Sequence, residues 1–207
     1  MIRALAAIAG CIALIASPNP ARAQSVQLEA KLSESWPMGL RVVSVPRAHV
    51  MFGVPLGEHV VVLGGIGGGY GELSTAYSTW SETSLTFPVE VELTLQAPEA
   101  GQATPAFRLG AAYTLHRGTN RQEGNETTWT GRSVELLATV GVQYLATESF
   151  GVVVDTGLRY AHTSRAYQAE TSGLGGLGGL VGLSSGDSES EQSGLDVLGR
   201  IGIVLRL

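Results

Sequence analysis

The chain has a single cysteine, Cys11, in 207 residues. No internal disulfide is possible, and no thiol pair exists for redox or metal chemistry. Histidines number four, at 49, 59, 116 and 162, without ligand spacing, so neither a metal site nor a cofactor is expected. Charged residues make up only 15% of the chain, and the basic ones are outnumbered 13 to 18. That excludes the clustered basic surface needed to bind nucleic acid. Long apolar runs are also missing after residue 16. The longest, 60–70, is broken by Gly64, Gly65, Gly67, Gly68 and Gly69, and falls short of the roughly 20 apolar residues of a membrane helix.

What is present begins with an export signal. Arg3 gives a positive start, residues 4–16 are apolar, and Ala21-Arg22-Ala23 is a small-x-small cleavage site. The pattern predicts a signal peptide over 1–23 and a single mature domain over 24–207. The stretch Ile8-Ala9-Gly10-Cys11 also has the form of a lipoprotein box, but cleavage before Cys11 would leave Ile12 to Ile15 as an apolar tail without purpose. Cleavage after Ala23 removes Cys11, Arg3 and Arg22, leaving 11 basic against 18 acidic side chains, a net charge of −7.

The mature sequence alternates with period two, the signature of strands. At its end, Leu195, Val197, Ile201, Ile203, Leu205 and Leu207 share one face, and Asp196, Arg200 and Arg206 the other. Strands are predicted over 26–35, 40–54, 59–72, 85–96, 106–116, 132–146, 150–163 and 194–207. In the fourth, Leu85, Phe87, Val89, Val91, Leu93 and Leu95 oppose Thr86, Glu90, Glu92, Thr94 and Gln96. Two carboxylates on an inner face suit a polar lumen and not a dry core. Pro46 within the second strand predicts a bulge. Segments 73–84, 117–131 and 164–193 read as hydrophilic loops on one side; 55–58, 97–105 and 147–149 read as tight turns on the other. Phe52, Phe107, Tyr144 and Phe150 fall beside the turns, and Tyr70, Tyr113 and Tyr160 toward the loops, which implies two interfacial girdles.

The spacing of Arg200, Gly202, Leu205 and Leu207 resembles the C-terminal signal that bacterial outer-membrane proteins present to the barrel-assembly machinery, with Leu at the last position where Phe is most common. Together with the strand pattern, the mature chain resembles the small eight-stranded outer-membrane barrels of the OmpA and OmpX kind. The resemblance implies an all-β, antiparallel transmembrane meander in the outer membrane, monomeric and surrounded by outer-membrane lipid and lipopolysaccharide. A soluble barrel or sandwich would invert the faces and set the apolar residues inside.

Three candidate constellations stand out. Glu90, Glu92, Arg108, Glu135, Asp155, Arg159, Asp196 and Arg200 share the inward phase, and an eight-stranded lumen is just wide enough for side chains to fill. A salt-bridge plug is expected there, with a narrow ion path as the alternative. His162 and Ser164 share an outward face at the loop end of the seventh strand. They are similar to the His-x-Ser element of the outer-membrane lipid A deacylases, a resemblance that implies a hydrolase, although Arg165 stands where that family has Asn. Gly173 to Gly178 matches G-x-G-x-x-G in form, but lacks the strand-to-helix setting of a dinucleotide site. The expected role is non-enzymatic, structural or surface-interacting.

Overall fold

The computed structural model describes residues 26–37, 45–122, 125–170 and 188–207. The expected signal peptide, 1–23, and the glycine-rich segment 173–178 lie outside them. Eight strands follow in chain order: β1 (Gln27–Pro37), β2 (Arg47–Pro55), β3 (Val60–Ser74), β4 (Ser78–Thr94), β5 (Ala103–Gln122), β6 (Asn125–Leu145), β7 (Phe150–Glu170) and β8 (Ser188–Arg206). Each pairs antiparallel with the next, and β1 pairs with β8, so the sheet closes into a barrel. At the seam Gln27 lies opposite Arg206 and Leu32 opposite Ile201. Closure leaves no edge strand with unpaired amides, the condition for β-structure in lipid.

The two faces divide by chemistry. Phe52, Val89, Leu109, Leu136, Val140, Val154, Leu158 and Ile201 are exposed on the outside, whereas Glu29, Glu90, Glu92, Arg108, Gln143 and Glu135 are buried inside. A water-soluble barrel has the reverse arrangement; apolar outside and polar inside is the transmembrane one. Phe52, Phe107, Tyr144 and Phe150 project outward near one rim, and Tyr70, Tyr113 and Tyr160 toward the other. Both ends of the described chain, Val26 and Leu207, meet at the first rim, where the Leu207 amide donates to the Val26 carbonyl at 2.9 Å. The short connections 56–59, 95–102 and 146–149 lie at that rim too, which makes it the periplasmic one.

Two features differ from the sequence reading. First, Ser78–Ser84, Arg117–Gln122, Asn125–Gly131, Ser164–Glu170 and Ser188–Ser193 are strand, not loop. The β5–β6 ladder runs from Ala103↔Tyr144 to Gln122↔Asn125, about twice the 9–11 residues a strand needs to cross a bilayer. These extensions rise above the apolar band: their outer face is largely polar, and the apolar alternation that marks a lipid-facing strand stops at Leu115. Second, β2 begins after Pro46, so this proline precedes the ladder and makes no bulge in it. Residues 40–44 of the expected second strand lie outside the described residues. The glycines of β3 admit a close approach from β2: a side chain at Gly67 would occupy the place of the His49 ring.

Candidate functional site

The lumen is filled in tiers. In the lower tier Arg108 of β5 spans the barrel: Nε donates to Glu92 Oε2 at 2.7 Å, Nη1 to Asp155 Oδ2 at 2.5 Å and Nη2 to Glu29 Oε1 at 3.1 Å. Arg200 of β8 donates from Nε to Asp155 Oδ1 at 2.5 Å, from Nη2 to Thr139 Oγ1 at 2.9 Å, and pairs through Nη1 with Glu90. Lys31 of β1 completes the tier between Glu29 and Glu90. Planar guanidinium forks suit this work because each can serve several carboxylates at fixed angles. On one wall an apolar cluster of Met51, Val61 and Leu63 fills the remaining width.

The upper tier centres on Glu135 of β6. Arg47 Nη1 donates to both of its oxygens at 2.8 and 2.9 Å, Thr114 Oγ1 at 2.9 Å, Ser133 Oγ at 3.2 Å and Arg159 Nη1 at 3.4 Å. Arg159 also holds Asp196, at 2.5 Å through Nη2, and donates to Ser35 at 2.8 Å. A carboxylate with this many donors is held in one rotamer. Removing both Arg47 and Arg159 would leave its buried charge uncompensated.

Above lies a vestibule of about 190 Å³, open toward the extracellular end and lined by residues including Trp80, Glu82, His116, Arg159 and Arg165. His116 bridges Glu82 at 2.7 Å through Nδ1 and Ser133 at 2.8 Å through Nε2. Trp80 and Trp129 stack with centroids 6.3 Å apart, Tyr167 flanks Trp129 at 6.5 Å, and the Arg165 guanidinium sits 4.6 Å from the Trp129 ring centroid. This aromatic and cationic packing braces the inner wall of the extension. Gly118, across from Trp129 on β5, leaves room for the indole.

All eight charged residues singled out in the sequence point into the lumen: Glu90, Glu92, Arg108, Asp155 and Arg200 in the lower tier, Glu135, Arg159 and Asp196 in the upper. Sequence reasoning left Glu29, Lys31, Arg47 and Glu82 out of the network. The period-two phase of Arg47 with Met51 could have found it; the expectation of a bulge at Pro46 obscured that phase. His162 and Ser164 both lie on the outer side, but His162 Nδ1 pairs with Ser193 Oγ of β8, at 2.8 Å. Asp196 is committed to Arg159 inside. Among the described residues no group of three or more His, Cys, Asp and Glu could hold a metal ion.

Neither a protein-family model nor a curated protein matches the chain. Solved structures do. A major outer membrane protein from Thermus thermophilus superposes with a TM-score of 0.54 at 12% identity, over 88% of this chain and 99% of that one. Neisserial surface protein A superposes at 0.50 and 14% identity, over 88% and 96%. Identities this low speak for fold alone. The chain has the fold of the small outer-membrane β-barrels, an eight-stranded antiparallel meander with a lipid-facing exterior and a charged interior.

Proposed function

We propose that the protein is a non-enzymatic resident of the outer membrane with a structural or surface-interaction role and no wide pore. The observation that carries this reading is the Arg108 fork. It joins Glu92, Asp155 and Glu29 from three other strands across the barrel axis, and side chains bonded across a lumen of this width stand in the way of water and ions. What remains to face the outside is the extended wall of β4 to β8 and its hairpin tips, where loops and rims of barrels carry specificity. In this reading residues 1–23 export the chain, the mature domain begins at Gln24, and the terminal segment with Arg200, Gly202, Leu205 and Leu207 is what the assembly machinery engages.

Planar-bilayer recording of the purified protein tests the plug. Absence of stepwise conductance supports it, and a steady open channel would overturn it in favour of the ion-path alternative. The hydrolase alternative is not adopted, because Arg165 replaces the motif's Asn and is drawn inward onto Trp129 and Glu82. A change in lipid A acylation on expressing the wild-type chain but not a Ser164→Ala variant would reinstate it.

A further inference from the structure

The cations of the described chain are unevenly placed. Lys31, Arg47, Arg108, Arg159 and Arg200 are buried in the lumen, Arg165 lies within the mouth, and Arg206 is half-buried at the periplasmic rim, donating to the Pro98 carbonyl at 3.2 Å. Those left on the outer surface are Arg117, Arg121 and Arg132, all on the β5–β6 hairpin. Arg121 is neutralised by Glu126 at 3.0 Å. Arg117 and Arg132 make no ion pair among the described residues.

Their neighbours complete a constellation. Arg117 lies opposite Thr130 and Arg132 opposite Leu115, so the two arginines are diagonal neighbours across one ladder. On the other side Arg132 lies opposite Ser164, and His162, two residues along β7, is exposed on the same face. Strands about 4.8 Å apart put these side chains within reach of one headgroup. The carboxylate nearest in register is Glu191, opposite Ser164 on β8 and beyond the arginines. Directly toward the membrane come Leu115, Tyr113, Val134, Leu136 and Tyr160, all exposed. The patch therefore sits where the apolar band ends, on the extracellular side.

We propose that Arg117 and Arg132, with Thr130, Ser164 and His162, bind the phosphate of a phosphorylated glycolipid headgroup in the outer leaflet, the acyl chains lying on the apolar strip beneath. The inference rests on the membrane reading above and deepens it by naming the lipid class and its site. Two guanidinium forks and two hydroxyls match phosphate geometry. An exterior otherwise acidic in its charge gives no reason for two unpaired cations at this boundary, and a headgroup phosphate supplies their counter-charge.

The test uses the folded mature chain in detergent micelles and measures binding of phosphorylated lipid A and of the same lipid enzymatically dephosphorylated. The Arg117→Gln/Arg132→Gln variant, and separately Arg117→Ala/Arg132→Ala, should bind the phosphorylated lipid at least roughly tenfold more weakly than wild type, the scale of a lost charge-assisted contact. Wild type should lose as much when the phosphates are removed, and Arg121→Ala should match wild type. Equal binding by either double variant, equal binding of the dephosphorylated lipid, or displacement by millimolar inorganic phosphate alone would overturn the site. Heat-dependent gel mobility reports folding of each protein independently. A wild-type chain without that shift would overturn the barrel reading and the patch together, whereas a shift with unaltered binding in the variants would overturn the patch alone.

Discussion

Arg108 and Asp155, 47 residues apart in sequence and on strands β5 and β7, meet inside the barrel with Nη1 and Oδ2 at 2.5 Å. The same guanidinium serves Glu92 and Glu29, so one side chain ties β5 to β4, β7 and β1. A ring of eight strands held by its backbone ladder alone could flex in cross-section. Side chains bonded across the axis fix its width.

Replacing Arg108 with Met should therefore destabilise the barrel by about 3–5 kcal/mol, because Glu92 would be left as a buried charge without an ion pair among the described residues. Urea unfolding in detergent micelles, followed by the loss of the heat-modifiable band, measures it. The double variant Arg108→Met/Glu92→Leu should recover part of the loss, since Glu29 retains Lys31 and Asp155 retains Arg200. A double variant less stable than Arg108→Met alone would contradict the assignment.

Leu109 follows Arg108 on the chain and faces the opposite way, 49% exposed within the outward band. Introducing arginine there should cost about 2–4 kcal/mol in lipid vesicles, the expense of a charge at the bilayer midplane. A soluble barrel with a wet exterior would tolerate the change nearly neutrally. Folding free energies of wild type and Leu109→Arg in phosphatidylcholine vesicles separate the two cases.

Gly118→Val should act locally. A side chain at Gly118 would meet the Trp129 ring and the Ser81 carbonyl, and overpacking of this kind costs about 1–3 kcal/mol. Because the contact lies in the extension above the apolar band, the expected result is faster trypsin cleavage at Arg117 and Arg121 with the heat-modifiable core intact. Loss of the core band would show instead that the extension folds as one unit with the transmembrane part.

Leu205 and Leu207 stand at the periplasmic end beside the seam, Leu205 facing both Leu28 and Phe150. Changing both to serine should reduce the amount of protein recovered in the outer membrane of cells while leaving refolding into micelles close to wild type. Equal losses in both settings would show that these leucines act through stability and not through recognition during assembly.

The parts of the fold legible in the sequence are those where lipid imposes a pattern. Phe87, Val89, Val91 and Leu93 alternate with Thr86, Glu90 and Glu92 because one face meets hydrocarbon and the other a charged lumen. Where the wall rises into water that contrast disappears. Thr119, Asn120 and Arg121 extend β5 as strand although nothing in their order distinguishes them from a loop. The inner site was legible as a set of residues by phase, but not as pairs. Glu90 and Arg200 are 110 positions apart, and only closure of the ring decides which inward charge faces which. Ser193 as the partner of His162 was hidden for the same reason, since that contact depends on the β7–β8 register.

The joint between β1 and β8 also sets an order in time. Gln27 finds Arg206, and Glu29 finds Val204, only after the last residues have been delivered. Arg200, which holds Asp155 and Glu90, is among those last arrivals. Until then the carboxylates of β4 and β7 are without this counter-ion, leaving, among the described residues, Glu90 only Lys31 and Asp155 only Arg108. The wall and the ion-pair lattice inside it are therefore completed by the same strand, and neither is whole without it.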